Sequence, residues 1–210
     1  MTSMLERFVD TFVVLFVVVD PIGLAPIYAA LTHGTSAAYA RRMALRGTLV
    51  AAVLLFVFAF AGTWLLRALG ITLPAFQIAG GILLFLVALD MVFVQHSGIR
   101  SPTESERREA RTRTDISVFP LAFPLIAGPG ALTTVLLLAG GQSQAPYGTA
   151  GLLAVVTLVL LLTLATLLQA PRLMRWLGET GANVVTRVFG VILSALAVQY
   201  VLDGLGAGLS

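Results

Sequence analysis

Two short segments hold the residues whose types and spacing can do chemistry. The first, DPIGLAPIY from Asp20 to Tyr28, places an acid, prolines and a glycine directly after the apolar run FVVLFVVV. The second, FPLIAGPGALTTV from Phe123 to Val135, sets Pro124 and Pro129 five apart, as Pro21 and Pro26 are, at a constant offset of 103 residues. Proline has no N–H and clashes with the carbonyl one turn earlier, so carbonyls near Val17 to Ile22 lose their helical partners. Together with the Asp20 carboxylate they suit a cation, either a substrate ammonium or a coupling proton or sodium ion. Proline also suits the first turn of a new helix, and Asp20 before Pro21 and Gly128 before Pro129 have the chemistry of an N-cap. A helix starting at Pro129 aims free N–H groups and its positive dipole end at whatever precedes it, and Gly128 and Gly130 leave those amides open to a carboxylate.

Other polar residues supplement these segments. Gln77 in PAFQIAGG and the pair Thr133 and Thr134 can bond a substrate or freed carbonyls, or serve helix packing, while Gly80, Gly81 and Gly190 allow helices to approach closely. Asp90 and Asp203 fall near helix ends, where a solvated or paired role suits them. His33 and His96 have no serine, cysteine or acid at catalytic spacing, and no metal-ligand cluster or phosphate loop is present in the sequence. The chain lacks cysteine, which excludes disulfides and thiolate metal sites. Aspartyl hydrolysis needs two carboxylates sharing a proton, and Asp20 has no second deep acid, so an intramembrane enzyme is the weakest alternative and no catalytic residue, cofactor or metal is expected.

The elements that must position these residues are set by composition. Of 210 residues 58% are hydrophobic and 11% charged, and the apolar residues come in long blocks. Blocks at 5–32, 42–69, 74–94, 116–140, 148–170 and 182–203 each reach the ~20 residues needed to cross a bilayer. The sequence therefore reads as an all-α membrane protein of six transmembrane helices in a single transmembrane domain, 1–210. Asp20 to Pro26 and Pro124 to Gly130 fall near the middle of their blocks, which predicts that helices 1 and 4 are broken at mid-membrane. Unpaired backbone there is tolerated only when it lines a cavity or is buried in protein. The first apolar run lacks a small-residue cleavage site and reads as a retained helix rather than a secretory signal.

Arginine placement gives orientation. Arg41, Arg42 and Arg46 follow helix 1; Arg100, Arg107, Arg108, Arg111 and Arg113 follow helix 3; Arg172, Arg175 and Arg187 follow helix 5. Those loops read as cytoplasmic and both termini as extracytoplasmic. The thirteen arginines sit at loops and helix ends, so the basic balance implies no nucleic-acid partner. Internal similarity divides the chain. RALG from Arg67 matches RWLG from Arg175, and GILLFLVAL from Gly81 can be laid on GVILSALAV from Gly190, in the same order as the proline pairs. Repeat one spans about 1–95, a polar cytoplasmic linker about 96–115 and repeat two about 116–210. With three helices each, the second copy enters the membrane upside down. This is the inverted-repeat plan of many secondary transporters, whose site lies between the two breaks.

DPIGLAPIY and FPLIAGPGALTTV, in a six-helix layout of this length, resemble the MarC family of bacterial inner-membrane proteins, which includes SnatA-type neutral amino-acid transporters. The resemblance covers essentially the whole chain and matches Asp20, Pro21, Gly23, Pro26, Pro124, Gly128, Pro129 and Gly130. It departs at Leu24, where the family commonly carries a polar residue, often asparagine. It implies transport of small neutral amino acids such as glycine, alanine or serine, coupled to a proton or sodium ion, with import and export equally compatible. A channel or an exporter of other small solutes is the alternative, and an oligomer is compatible with either. A channel should show a polar stripe along several helices, whereas polarity here is confined to two central patches.

Overall fold

The computed structural model describes residues 4–93, 115–141 and 148–209, which are helices and their connections with no strand among the described residues. Most of the polar linker, with His96, lies outside them. Helices α1 (Met4–Val19) and α2 (Pro21–Leu31) are separated by Asp20 alone and together make one apolar span, Leu5–Leu31. They are followed by α3 (Ala37–Ala68), α4 (Leu73–Phe93), α5 (Ser117–Ile126), α6 (Pro129–Gly141) and α7 (Gly148–Leu209). Gly178 divides α7 into two arms, Gly148–Gly178 and Thr180–Leu209. Among the described residues five helices are long and apolar enough to cross a membrane, or six when α5 and α6, bent by 59°, count as one span.

Local chemistry sets the boundaries. The Ser36 side chain accepts from Tyr39 N–H at 3.2 Å to cap α3, and Thr72 does the same for Ala75 at 3.3 Å as α4 begins. Gly70, at φ 70°, closes α3 by donating to the Arg67 carbonyl while Ile71 donates to Leu66, a left-handed C-terminal stop. Asp115 accepts from the Ser117 N–H at 2.8 Å, from the Ser117 hydroxyl and from Arg46 at 3.2 Å, tying the start of α5 to α3. The Ser117 hydroxyl and N–H, with Arg46 behind them, hold the Asp115 carboxyl below its ordinary value.

Two elements depart from the sequence reading. α5 is wound with wider turns, Leu121 N–H bonding Ile116 and Ala127 N–H bonding Ala122, and Phe119 (φ −127°, ψ 128°) and Phe123 (φ −128°, ψ 130°) are extended within it. Each precedes a proline, whose ring disfavours the α region for its predecessor. The irregular backbone thus begins at Phe119, ahead of the expected Pro124. The first arm of α7 likewise runs past residue 170, through Pro171, to Gly178. Arg172 and Arg175 are good helix formers that carry it beyond its apolar block. Gly178, at φ 65° and ψ 174°, adopts a conformation essentially open only to glycine, and makes the joint without a longer loop.

Packing follows a membrane pattern. On α3 one stripe, Ala44, Thr48, Ala51, Leu55 and Ala59, is buried, and the stripe Leu49, Val53, Val57, Phe60 and Trp64 is exposed with every member at least half accessible. A helix apolar on both faces has protein on one side and hydrocarbon on the other. Trp64 and Trp176, exposed near the ends of their helices, suit the headgroup level. The Leu5–Leu31 span is the most enclosed, with 56% of its apolar window buried against 22–39% for the other four. The chain around Asp20 is therefore sheathed by protein rather than lipid.

Candidate functional site

Asp20 is fully buried and is the only buried carboxylate among the described residues. Its backbone is left-handed (φ 47°, ψ 68°), a conformation that costs most residues about 1–2 kcal/mol but that aspartate tolerates through local hydrogen bonds. Its N–H donates to the Phe16 carbonyl at 2.9 Å, its carbonyl accepts from Leu24 at 3.1 Å, and its Oδ1 accepts from Gly23 N–H at 3.0 Å. Asp20 thus ends α1 and caps α2, whose first residue is Pro21. Its Oδ2 accepts from the Thr186 hydroxyl at 3.0 Å, on the second arm of α7. Gly23 is required by this contact, because a Cβ there would overlap both Asp20 Oδ2 and Thr186 Oγ1. Pro26, inside α2, deprives the Ile22 carbonyl of its donor.

The second segment lines a small pocket. Pro124 and the stretch from Gly128 to Ala131 form one side, with Val18 of α1 and Val87 of α4 opposite. The water-accessible space is about 10 Å³, roughly one water molecule. Leu132 N–H takes the Gly128 carbonyl at 3.0 Å, so within α6 the amides of Gly130 and Ala131 precede the first closed turn and have no carbonyl one turn back. A Cβ on Gly130 would lie 3.0 Å from Leu84 and 3.6 Å from Val18, which brings the head of α6 against the end of α1. The end of α1, just ahead of the first segment, therefore meets the second segment here through the Val18 side chain. The Asp20 carboxylate, however, is turned to Thr186 and does not line this pocket.

The remaining polar residues lie around it. Thr133 packs its methyl on Gly80, where a Cβ would overlap it. Thr134 is fully buried and its hydroxyl faces that of Tyr200. Gln77 is half-buried on α4. None of the three lines the pocket. Thr186 and Tyr200 are absent from the sequence reading, and the signal for Thr186 was its place 109 residues after Gln77, the offset that joins Gly81 to Gly190.

This arrangement, buried helix ends with an acid at one and bare amides at the other, occurs in a chain that matches the model of the MarC family integral membrane proteins over residues 5–209. The chain belongs to the MarC family. Its relatives include a UPF0056 membrane protein of Aquifex aeolicus, 38% identical over 94% of this chain and 92% of the relative, and YvbG of Bacillus subtilis, 34% identical over 98% and 95%. The UPF0056 membrane protein YhcE of Escherichia coli is 33% identical over 92% of this chain and 89% of its own length. No solved structure gives a significant match. As a MarC-family member the chain is an integral membrane protein with several spans. Leu24 is 1% exposed and packed in the core.

Proposed function

We propose that this MarC-family protein is a secondary transporter of small neutral amino acids, of the glycine, alanine and serine class, in the bacterial inner membrane. The observation that carries the reading is the pocket at the head of α6, whose lining offers backbone amides and no charged side chain. Such a site takes a carboxylate through charge-assisted hydrogen bonds and the helix dipole, and tolerates little bulk beside it. Its present volume requires it to widen when a substrate enters. The ion, a proton or sodium, belongs at Asp20, and the termini face outward.

Two inverted halves supply the movement. A Cβ on Gly81 of α4 would lie 2.7 Å from the Ala197 carbonyl and 2.8 Å from Val201 on the second arm of α7. A Cβ on Gly190 of that arm would lie 3.0 Å from the Ala88 carbonyl and 2.9 Å from Val92 of α4. Gly81, Ala88 and Val92 of α4 stand 109 residues before Gly190, Ala197 and Val201 of α7. Residue numbers rise along one helix as they fall along the other, so the pair is antiparallel, which is what a two-fold axis lying in the membrane plane produces. Each broken helix also leans on the opposite half, α2 on α7 through Gly23 and Thr186, and α6 on α4 through Thr133 and Gly80. These contacts support helices 1 and 4 as broken spans related by that axis, with alternating access as one half rocks against the other.

The test is uptake of labelled glycine, alanine and serine into liposomes holding the purified protein, with pH and sodium gradients imposed in turn. Gradient-driven accumulation of at least one is expected, and no accumulation or exchange of any of them would overturn the reading.

A further inference from the structure

The two oxygens of Asp20 face donors of different kinds. Oδ1 accepts from the Gly23 N–H, a group that can only donate, and Oδ2 accepts from the Thr186 hydroxyl. A hydroxyl can donate or accept. Thr186 therefore donates to a carboxylate and, after rotation about its C–O bond, accepts from the O–H of a carboxylic acid, while Gly23 serves the carbonyl-like oxygen in both states. We propose that Asp20 binds the coupling proton on Oδ2 and that Thr186 is the positioning residue that keeps the acid hydrogen-bonded in both protonation states. The inference rests on the transport reading only for the purpose of the proton. Protonation forms one Oδ2–H bond with a proton from hydronium, leaving water, and deprotonation returns it to water; because Asp20 is fully buried, both require the site to open.

The alternative ion fits poorly. A hard cation gathers several oxygen ligands, whereas both carboxylate oxygens here face hydrogen-bond donors. The side toward Gly23 is also full, since one methyl group there would overlap Oδ2 and Thr186 Oγ1 together. The bond links the junction of α1 and α2 to the second arm of α7, 166 residues away. Charge-assisted hydrogen bonds are roughly twice as strong as neutral ones, so the link holds harder when Asp20 is ionised and loosens when it takes its proton.

Other titratable groups meet these elements. Glu6, Arg7 and Asp10 are exposed at the head of α1, and Tyr28 of α2 donates to the Ala40 carbonyl. Arg187 follows Thr186 and is exposed, and Asp90 is half-buried on α4, which packs along the same arm. Tyr200 and Asp203 lie roughly four turns or more further along.

Infrared difference titration of the purified protein in lipid tests the assignment. Asp20→Asn should remove one titrating carboxyl band, and Asp20→Glu, which moves the same band, replaces it should the amide variant not fold. Thr186→Val should displace the band and move its midpoint, Thr186→Ser should restore both, and exchanging sodium for choline should change neither. The proposal is overturned if no titrating band belongs to Asp20, if Thr186→Val titrates as wild type does, or if the midpoint follows sodium concentration. A titrating Asp20 without amino-acid uptake would sink the transport reading alone, and uptake without such a band would sink the proton assignment alone.

Discussion

Gly81 and Gly190 occupy reciprocal positions across the α4–α7 contact, each with a backbone carbonyl and a valine of the other helix where its Cβ would be. Carbonyls of packed helices cannot move aside as a side-chain end can. Gly81→Ala and Gly190→Ala should therefore each destabilise by about 1–3 kcal/mol, and by similar amounts, despite alanine's better helix propensity. Thermal unfolding in detergent measures both, and a large cost for one with none for the other would refute the two-fold relation.

Gly23→Ala should be the more damaging change near the first segment, because the new methyl must displace Asp20 Oδ2 or Thr186. Loss of both the helix cap and the inter-helix hydrogen bond is expected, together on the order of 2–3 kcal/mol. Gly206→Ala, with nothing within 4 Å, is the matched control and should not destabilise, gaining up to about 1 kcal/mol from helix propensity.

The head of α6 is probed from both sides of the contact. Gly130→Val should weaken glycine binding by at least roughly tenfold while leaving the fold intact, because the nearest obstacle is the flexible end of Leu84. An amine lacking the carboxylate should bind wild type comparably weakly. Calorimetry or a thermal-shift series with glycine and methylamine compares the two, and equal binding of amine and glycine would move the anion site elsewhere.

Asp115 gives a pH test outside the membrane spans. Its folded value is depressed by Ser117 and Arg46, so its stabilising contribution is complete above the unfolded carboxylate value and is lost as pH falls through the folded one. Wild type and Asp115→Ala should differ by a constant amount from neutral pH to about pH 5 and converge below about pH 4. The exposed Arg46 contact contributes less than about 1 kcal/mol, so Arg46→Ala should matter less than loss of the Asp115 bonds to Ser117. A difference that widens on acidification would contradict the sign.

Much of the architecture could be read from the chain because proline and glycine act locally. Asp20 and Pro21 mark the end of one helix and the start of the next by their own backbone limits, and Pro129 does the same for α6. Phe119 was missed because the reading weighed Pro124 and Pro129 but not the repeated Phe-Pro of FPLAFPLI, although the same rule governs both. Thr186 could not be picked out by composition, since a threonine in an apolar helix usually bonds its own backbone, as Thr163 does to Val159. Only the fold brings it to a carboxylate 166 residues away. Thr133 and Thr134 follow the Gly-Pro-Gly segment, yet helix periodicity turns them into interfaces rather than the pocket.

The extended Phe123 stands 103 residues after Asp20, and both precede a proline. One half thus has a buried acid where the other has an aromatic ring that is 43% exposed. Two identical halves would make the inward-open and outward-open forms isoenergetic, leaving the resting side to chance. In the proposed transport cycle, an ionisable group at this place in one half only would let the two forms bind the ion differently, so their ratio would depend on the ion's concentration on each face. Divergence between the copies would then set which way the empty carrier rests, while the gradients set the direction of net flux.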